Sequence, residues 1–190
     1  MNRKYITDKV FTNTDFSSEG HEISEYENCR FEQCLFSGVD LAECIFSECE
    51  FQNCDLSMAT IREAAFRDVQ FINSKLVGLH FDECNQFLFS ASFRGCLLHL
   101  SSFYQVSLKK STFADCNLQE VDFGEADLTA IAFDNCELAG AMFDNSILKN
   151  ADFITARSYS LDPENNEVNG ARFSLDGLPG LLSKYNIRID

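Results

Sequence analysis

A period of five residues runs through this chain and excludes most folds before composition is considered. Stepping in fives from Phe11 meets Phe16, His21, Tyr26, Phe31, Phe36, Leu41, Phe46, Phe51, Leu56, Ile61, Phe66, Phe71, Leu76 and Phe81. Only His21 is neither aromatic nor aliphatic. A second register runs from Leu88 through Phe93 and Leu98 to Leu148 and Phe153, in strict Leu/Phe alternation. Two places before each anchor stands a second, mostly small residue. Examples are Cys29, Cys34, Val39, Cys44, Cys49 and Cys54, then Gln86, Ala91, Cys96 and Ser101. A helix face repeats every 3.6 residues and a half-exposed strand every two, so neither explains the unit small–x–large–x–x. A short extended piece followed by a tight turn does, each piece forming one side of a coil. A sandwich of short strands is the blander alternative, but it would not hold one phase for fourteen units.

On this pattern the chain resembles the pentapeptide-repeat family. Ala126–Asp127–Leu128, Ala151–Asp152–Phe153 and Val121–Asp122–Phe123 are close to that family's A-D-L core. The resemblance covers residues 6–155 and 171–173. It implies an all-β fold, a right-handed, four-sided parallel β-helix with twenty residues per turn. Residues twenty apart should then stack about 4.8 Å apart, the spacing of neighbouring strands. Phe93, Phe113, Phe133 and Phe153 should form one column, with Phe on two opposite faces and Leu on the other two. We expect seven to eight coils, a rod on the order of 35–40 Å long, over residues 1–173. Residues 174–190 should form a C-terminal cap and dimerisation segment.

Composition bounds the rest. At 190 residues with 45% hydrophobic content, the chain reads as one globular unit. No apolar run is long enough to span a membrane, and the start does not read as a secretory signal. With the family resemblance, this implies a cytoplasmic protein. Eight of the nine cysteines occupy the small inward slot, and Cys84 lies at the phase break. An odd count without a secretion signal favours reduced thiols, and zinc-ligand spacing is absent, so the cysteines read as core filler. His21 replaces an anchor, and His80 and His99 should face outward. No catalytic set or phosphate loop is recognisable. We expect no enzyme activity, no cofactor and no metal.

Three interruptions stand out. The step from Phe81 to Leu88 is seven residues, placing a two-residue insertion within Asp82–Phe87, either a surface bulge or a small projecting contact. The repeat lapses over Ser158–Glu167, where Leu161–Asp162–Pro163 begins a turn-rich loop. It returns at Asn169–Phe173 as one last side. Asp176 and Pro179 then mark a helix start, followed by an apolar stripe of Leu178, Leu181, Leu182 and Tyr185. Ile187 and Ile189 suggest a short strand. These six residues are the expected homodimer interface.

The ends, Asp8–Lys9–Val10–Phe11 through Asp15–Phe16–Ser17 and Leu161–Asp162–Pro163 with the Leu181–Leu182…Ile187 tail, are similar to those of the Qnr quinolone-resistance proteins. In Qnr and the related MfpA proteins the C-terminal segment joins two rods, and the acidic dimer imitates duplex DNA on DNA gyrase or topoisomerase IV. That resemblance implies a gyrase-binding DNA mimic, with no nucleic acid or membrane bound directly. The chain departs from Qnr proteins in lacking room for two long projecting loops, having only the small break near Asp82–Phe87.

Charge bears on this reading. The net charge is −15. Residues 19–55 hold ten acids and one Arg, residues 56–114 four acids and six bases, and residues 115–152 nine acids and one Lys. Two acidic belts thus flank a mildly basic waist. Glu120, Asp122, Glu125, Asp127, Asp134, Glu137 and Asp144 of the second belt are the expected docking charges. Two alternatives stay open: acidic side chains that merely keep a rod of exposed strands soluble, and a scaffold or regulatory module for another protein.

Overall fold

In the five-residue unit, the small residue and the anchor face inward and the other three face water. The residue two places after the anchor turns the chain, and in most units it does so in a left-handed conformation. Asn13, Gln33, Asn53 and Asn73 do so with φ of 50°, 55°, 54° and 48°, a region Asn reaches at lower cost than most residues. The anchor carbonyl then accepts the N–H three residues on, as in Cys44 to Leu41 at 3.1 Å and Val106 to Phe103 at 3.0 Å. Other backbone groups pair with the neighbouring coils. Leu41 N–H donates to Thr60 at 2.8 Å, and Thr60 N–H donates to Val39 at 2.9 Å. The polar backbone is thereby satisfied without a conventional sheet sandwich.

The computed structural model describes residues 3–17 and 22–188; His21 and Ile189 lie outside them. The chain forms a four-sided parallel β-solenoid of about eight turns with one short C-terminal helix. Strands β1 (Lys4–Thr7), β3 (Ser24–Glu27), β5 (Ile45–Ser47) and β7 (Ala65–Arg67) form one side. A second side joins seven strands in the order β11-β10-β9-β8-β6-β4-β2, from β2 (Val10–Thr12) and β4 (Arg30–Glu32) through β6 (Glu50–Gln52) and β8 (Val69–Ile72) to β9 (Ala91–Arg94), β10 (Thr112–Ala114) and β11 (Phe133–Asp134). β12 (Asp152–Phe153) pairs with β13 (Arg172–Phe173), the expected last side. The other sides are held by single parallel bridges such as Asp40↔Thr60 and Ser102↔Asp122.

The core is a set of stacked ladders. Phe93–Phe113–Phe133–Phe153 stack with centroids 4.9, 5.8 and 4.9 Å apart. The column extends back through Phe71, Phe51 and Phe31 to Phe11, and forward to Phe173. Phe81, Phe103, Phe123 and Phe143 form the opposite column. The two columns meet edge to face, as Phe103 and Phe113 do at 5.8 Å and 84°, an arrangement the ring quadrupoles favour. The small slot has its own chemistry. Cys54 Sγ–H donates to Phe31 O of the previous coil at 3.2 Å, and Ser74 Oγ sits 3.1 Å from Phe51 O. A short side chain with a weak donor fits there, which explains why Cys and Ser interchange with Ala.

Leu88 is not an anchor, and Gln86 is not in the small slot. Gln86 holds the anchor's backbone place, accepting from Phe89 N–H at 3.3 Å, while its amide turns to donate to Phe81 O and Cys84 O. Phe89 folds in and is buried, whereas Phe87 and Leu88 are 69% and 54% exposed. Leu88 takes the left-handed turn (φ 62°), which points its side chain out. Across the bulge, stacked partners are 22 residues apart, as in Phe71↔Phe93, and beyond it the spacing returns to twenty, as in Phe93↔Phe113. Cys84 sits before the bulge and fills the ordinary inward slot, its Sγ 3.5 Å from Ile61 O.

The lapse at Ser158–Glu167 keeps the residue count, since Glu137↔Arg157 and Ile147↔Glu167 remain bridged at a spacing of twenty. Tyr159 and Leu161 are buried there in place of regular anchors. Helix α1 (Pro179–Leu182) closes over them, with Leu161 N–H donating to Gly180 O at 3.1 Å. A Cβ on Gly177 or Gly180 would overlap Tyr159, so this approach requires glycine. Ile187 lies in no strand. Asn186 turns left-handed (φ 49°) just before it, ending the 3-10 turn Ser183–Tyr185.

Candidate functional site

The solenoid displays three of every five side chains, so function must be sought on its four long faces. Each face can be named by its anchor in one coil: Phe113, Leu118, Phe123 and Leu128. The twenty-residue stacking, shifted by two after the bulge, assigns every surface residue to a face. Among the described residues, eleven acids project from the Phe123 face, and one arginine, Arg62. The acids are Glu22, Asp40, Glu43, Glu63, Asp82, Glu83, Asp122, Glu125, Asp144, Asp162 and Glu164.

Charge balance sets this face apart. On the others, bases nearly offset the acids in number, and some meet them in ion pairs: Asp127 with Lys109 at 2.7 Å, Asp152 with Arg172 at 2.8 Å, Glu50 with Arg30 at 3.4 Å and Asp55 with Lys75 at 3.6 Å. On the Phe123 face, Lys184 neutralises Asp162 and Glu164 at the C-terminal end, and His80 sits 3.4 Å from Asp82. Between them Asp40, Glu43, Glu63, Glu83, Asp122 and Asp144 make no ion pair within 4.0 Å among the described residues. With its excess of acids over a single arginine, the face carries most of the chain's net charge of −15.

One spot on it is built in more detail. Tyr104 Oη donates to Glu125 Oε1 at 2.7 Å, and Gln105 Nε2 donates to Glu125 Oε2 at 2.7 Å. These bonds from Gln105 and Tyr104 hold the Glu125 carboxyl below its usual range, and Glu125 in turn raises the Tyr104 phenol. Asp122 accepts Gly124 N–H at 2.8 Å.

The expected docking belt is not one surface. Asp122, Glu125 and Asp144 lie on the Phe123 face, but Glu120 and Glu137 are on the Leu118 face, Asp134 on the Phe113 face and Asp127 on the Leu128 face. Burial raises the Asp127 carboxyl, but Lys109 and Thr129 outweigh it and bring the group below its usual range. Reading charge along the chain located a belt; reading it by face adds Asp40, Glu43, Glu63 and Glu83. The signal lay in the same twenty-residue phase that located the core.

At the C-terminal end, Pro163, Glu164, Leu178, Leu181, Leu182, Lys184 and Tyr185 line a groove of about 290 Å³. Leu178, Leu182, Tyr185 and Ile187 are exposed, while Leu181 packs partly against the core. Elsewhere, all nine cysteines are free and buried. Burial pushes the Cys49 and Cys54 thiols up to about 12 and Cys84 well above its usual range. These three thiols are held in the protonated form and are poor nucleophiles. Among the described residues no His, Cys, Asp and Glu group is arranged to hold a metal. No described helix is long and apolar enough to cross a membrane.

Residues 24–87 and 86–157 match the family model of the pentapeptide repeat region. No curated protein is similar to the chain by sequence. Among solved structures, QnrB1, a plasmid-mediated fluoroquinolone resistance protein, aligns with a TM-score of 0.56 at 18% identity, over 96% of this chain and 100% of its own. HetL of the cyanobacterium Nostoc, a pentapeptide repeat protein involved in heterocyst differentiation regulation, also gives 0.56, at 20% identity over 93% of this chain and 90% of its own. Both similarities are of fold.

Proposed function

Since the chain belongs to the pentapeptide-repeat family, we propose that it is a non-enzymatic binding rod whose acidic Phe123 face docks into a basic cleft shaped for duplex nucleic acid. The partner we assign is a type II topoisomerase, DNA gyrase or topoisomerase IV, which makes the protein cytoplasmic. The observation that carries this reading is the gathering of unpaired carboxylates on one long face. Eight coils at about 4.8 Å space the eleven acids about 3–3.5 Å apart along the axis, close to the 3.4 Å per phosphate of one DNA strand. Such a row repels nucleic acid and steers toward clefts that hold it. The resemblance of the chain's ends to Qnr proteins supports the same partner.

Purified gyrase should bind the protein in low salt, release it as salt rises, and lose supercoiling activity when it is added. Full supercoiling at every protein concentration would sink the proposal. Protection of gyrase from quinolones is the finer expectation, read in the same assay with drug present. A second reading is a scaffold or regulatory module for another basic protein. The equal fold similarity to HetL favours keeping it, because the solenoid alone does not distinguish the two.

We further propose that the C-terminal segment, residues 174–190, joins two rods through the apolar groove of Leu178, Leu182 and Tyr185 together with the exposed Ile187. Leu178→Glu with Leu182→Glu places two charges in that contact while sparing Leu181, which packs inward. Light scattering should report a dimer for the wild type and a monomer for the variant. A monomeric wild type at micromolar concentration refutes the dimer.

A further inference from the structure

Tyr104 is 39% exposed, yet its ring is fixed in place. Its coil is followed by one with Gly124 in the stacked position. The absent side chain lets the ring lie over that backbone, because a Cβ on Gly124 would stand 3.2 Å from Tyr104 Cδ2. The same Cβ would stand 3.0 Å from Asp122 Oδ1, so the Asp122 carboxylate borders the ring. The ring hydroxyl is tied to Glu125, and Asp144 occupies the next place in the column beyond Gly124. Met142, 47% exposed, is the Asp122 column's next residue. A partly exposed aromatic ring is thus held over the Gly124 backbone by hydrogen bonding, on a face that also carries Asp122, Asp144 and the Met142 thioether.

We propose that this spot is a receptor for an arginine side chain of the partner protein. The guanidinium stacks on the Tyr104 ring and pairs with Asp122 or Asp144, and its methylene stem runs along Met142. A planar, weakly hydrated cation gains from an aromatic face and from carboxylates at its edge at once. A lysine ammonium gains the charge term but stacks poorly. The ring is already ordered before binding, which lowers the entropic cost of capture. The inference rests on the acidic-face reading and adds to it a preferred side chain and a place.

The test uses two capped pentapeptides, Ala-Arg-Ala-Arg-Ala and its lysine counterpart, titrated into isotopically labelled full-length protein and followed by NMR. The arginine peptide should bind about threefold more tightly than the lysine peptide and shift the Tyr104 ring and Gly124 amide signals. Tyr104→Leu keeps apolar bulk but removes the ring face, and should erase the arginine preference while leaving lysine binding unchanged. Equal binding of both peptides to the wild type, or a preference that survives Tyr104→Leu, overturns the receptor and leaves the acidic face standing. Salt-insensitive or absent binding of both peptides overturns the face reading itself, and the receptor with it.

Discussion

Replacing Phe113 with alanine should lower the stability of the rod by about 3–5 kcal/mol. Phe113 is 1% exposed. It stacks between Phe93 at 4.9 Å and Phe133 at 5.8 Å, and meets Phe103 and Phe123 edge-on at 5.8 and 6.0 Å. Truncation removes one ring from the middle of a continuous ladder and opens a cavity the flanking coils cannot close. Their positions are set by backbone hydrogen bonds on all four sides, not by that ring alone. Solenoid stability is close to a sum of neighbouring interfaces, so the two interfaces that share the cavity bear the loss. Phe87→Ala, at the residue just before Leu88 in the bulge, should change stability by no more than about 0.5 kcal/mol, because that ring is 69% exposed. Chemical denaturation of the two variants beside the wild type reads both numbers. Equal losses would contradict the assignment of Phe87 to the bulge and Phe113 to the column.

That contrast marks where the fold was legible in the sequence. An anchor every five residues is a packing requirement, so its phase reports which side chains point inward wherever the count is kept. At the bulge the count changes, and the fives running back from Phe93 select Leu88. The backbone instead keeps its phase as far as Gln86, whose amide can close the exposed carbonyls, and recovers a buried ring at Phe89. Spacing cannot separate these solutions, because they differ in hydrogen bonding and turn conformation. The lapse at Ser158–Glu167 is the converse case. Its composition reads as a loop, yet the coil persists because Tyr159 and Leu161 supply the buried surface that regular anchors would. Ile187 failed as a strand for want of a neighbouring edge, which is a tertiary condition.

The acidic site was half legible. Segment charges along the chain gave two belts and the right sign, but a belt is a coordinate along the axis, whereas a partner meets a face. Grouping residues by stacked column divides the seven belt acids among four faces and joins three of them to Asp40, Glu43, Glu63 and Glu83. The charge of a face follows from the fold's period, so it becomes readable only once the two-residue shift at the bulge is known.

Reversing charge by face, with net charge held equal, should separate these descriptions. The quadruple variant Glu43→Lys, Glu63→Lys, Glu83→Lys and Asp144→Lys alters only the Phe123 face. Its matched control is Glu48→Lys, Asp68→Lys, Glu120→Lys and Asp134→Lys, spread over the other three. In each set three residues stand two places after an anchor, namely Glu43, Glu63 and Glu83 against Glu48, Asp68 and Glu120, and all but Glu83, which ends a 3-10 turn, are left-handed. The fourth, Asp144 or Asp134, follows its anchor. None of the eight makes an ion pair among the described residues, so neither set removes a pairing on which the coil depends. Glu43, Glu63 and Glu83 stack in one column about 4.8 Å apart beside Asp40, Asp82 and Asp122, and reversing them exchanges repulsion across that row for attraction. The face variant should therefore melt no lower than the wild type while binding gyrase about 100-fold more weakly at low salt, within the range that electrostatic steering covers. The control should stay within about fivefold of the wild type, since its charges point away from the cleft and are screened beyond about 10 Å. Lost binding with retained stability cannot come from unfolding. Equal losses in both sets would mean that net charge, and not the Phe123 face, governs the encounter.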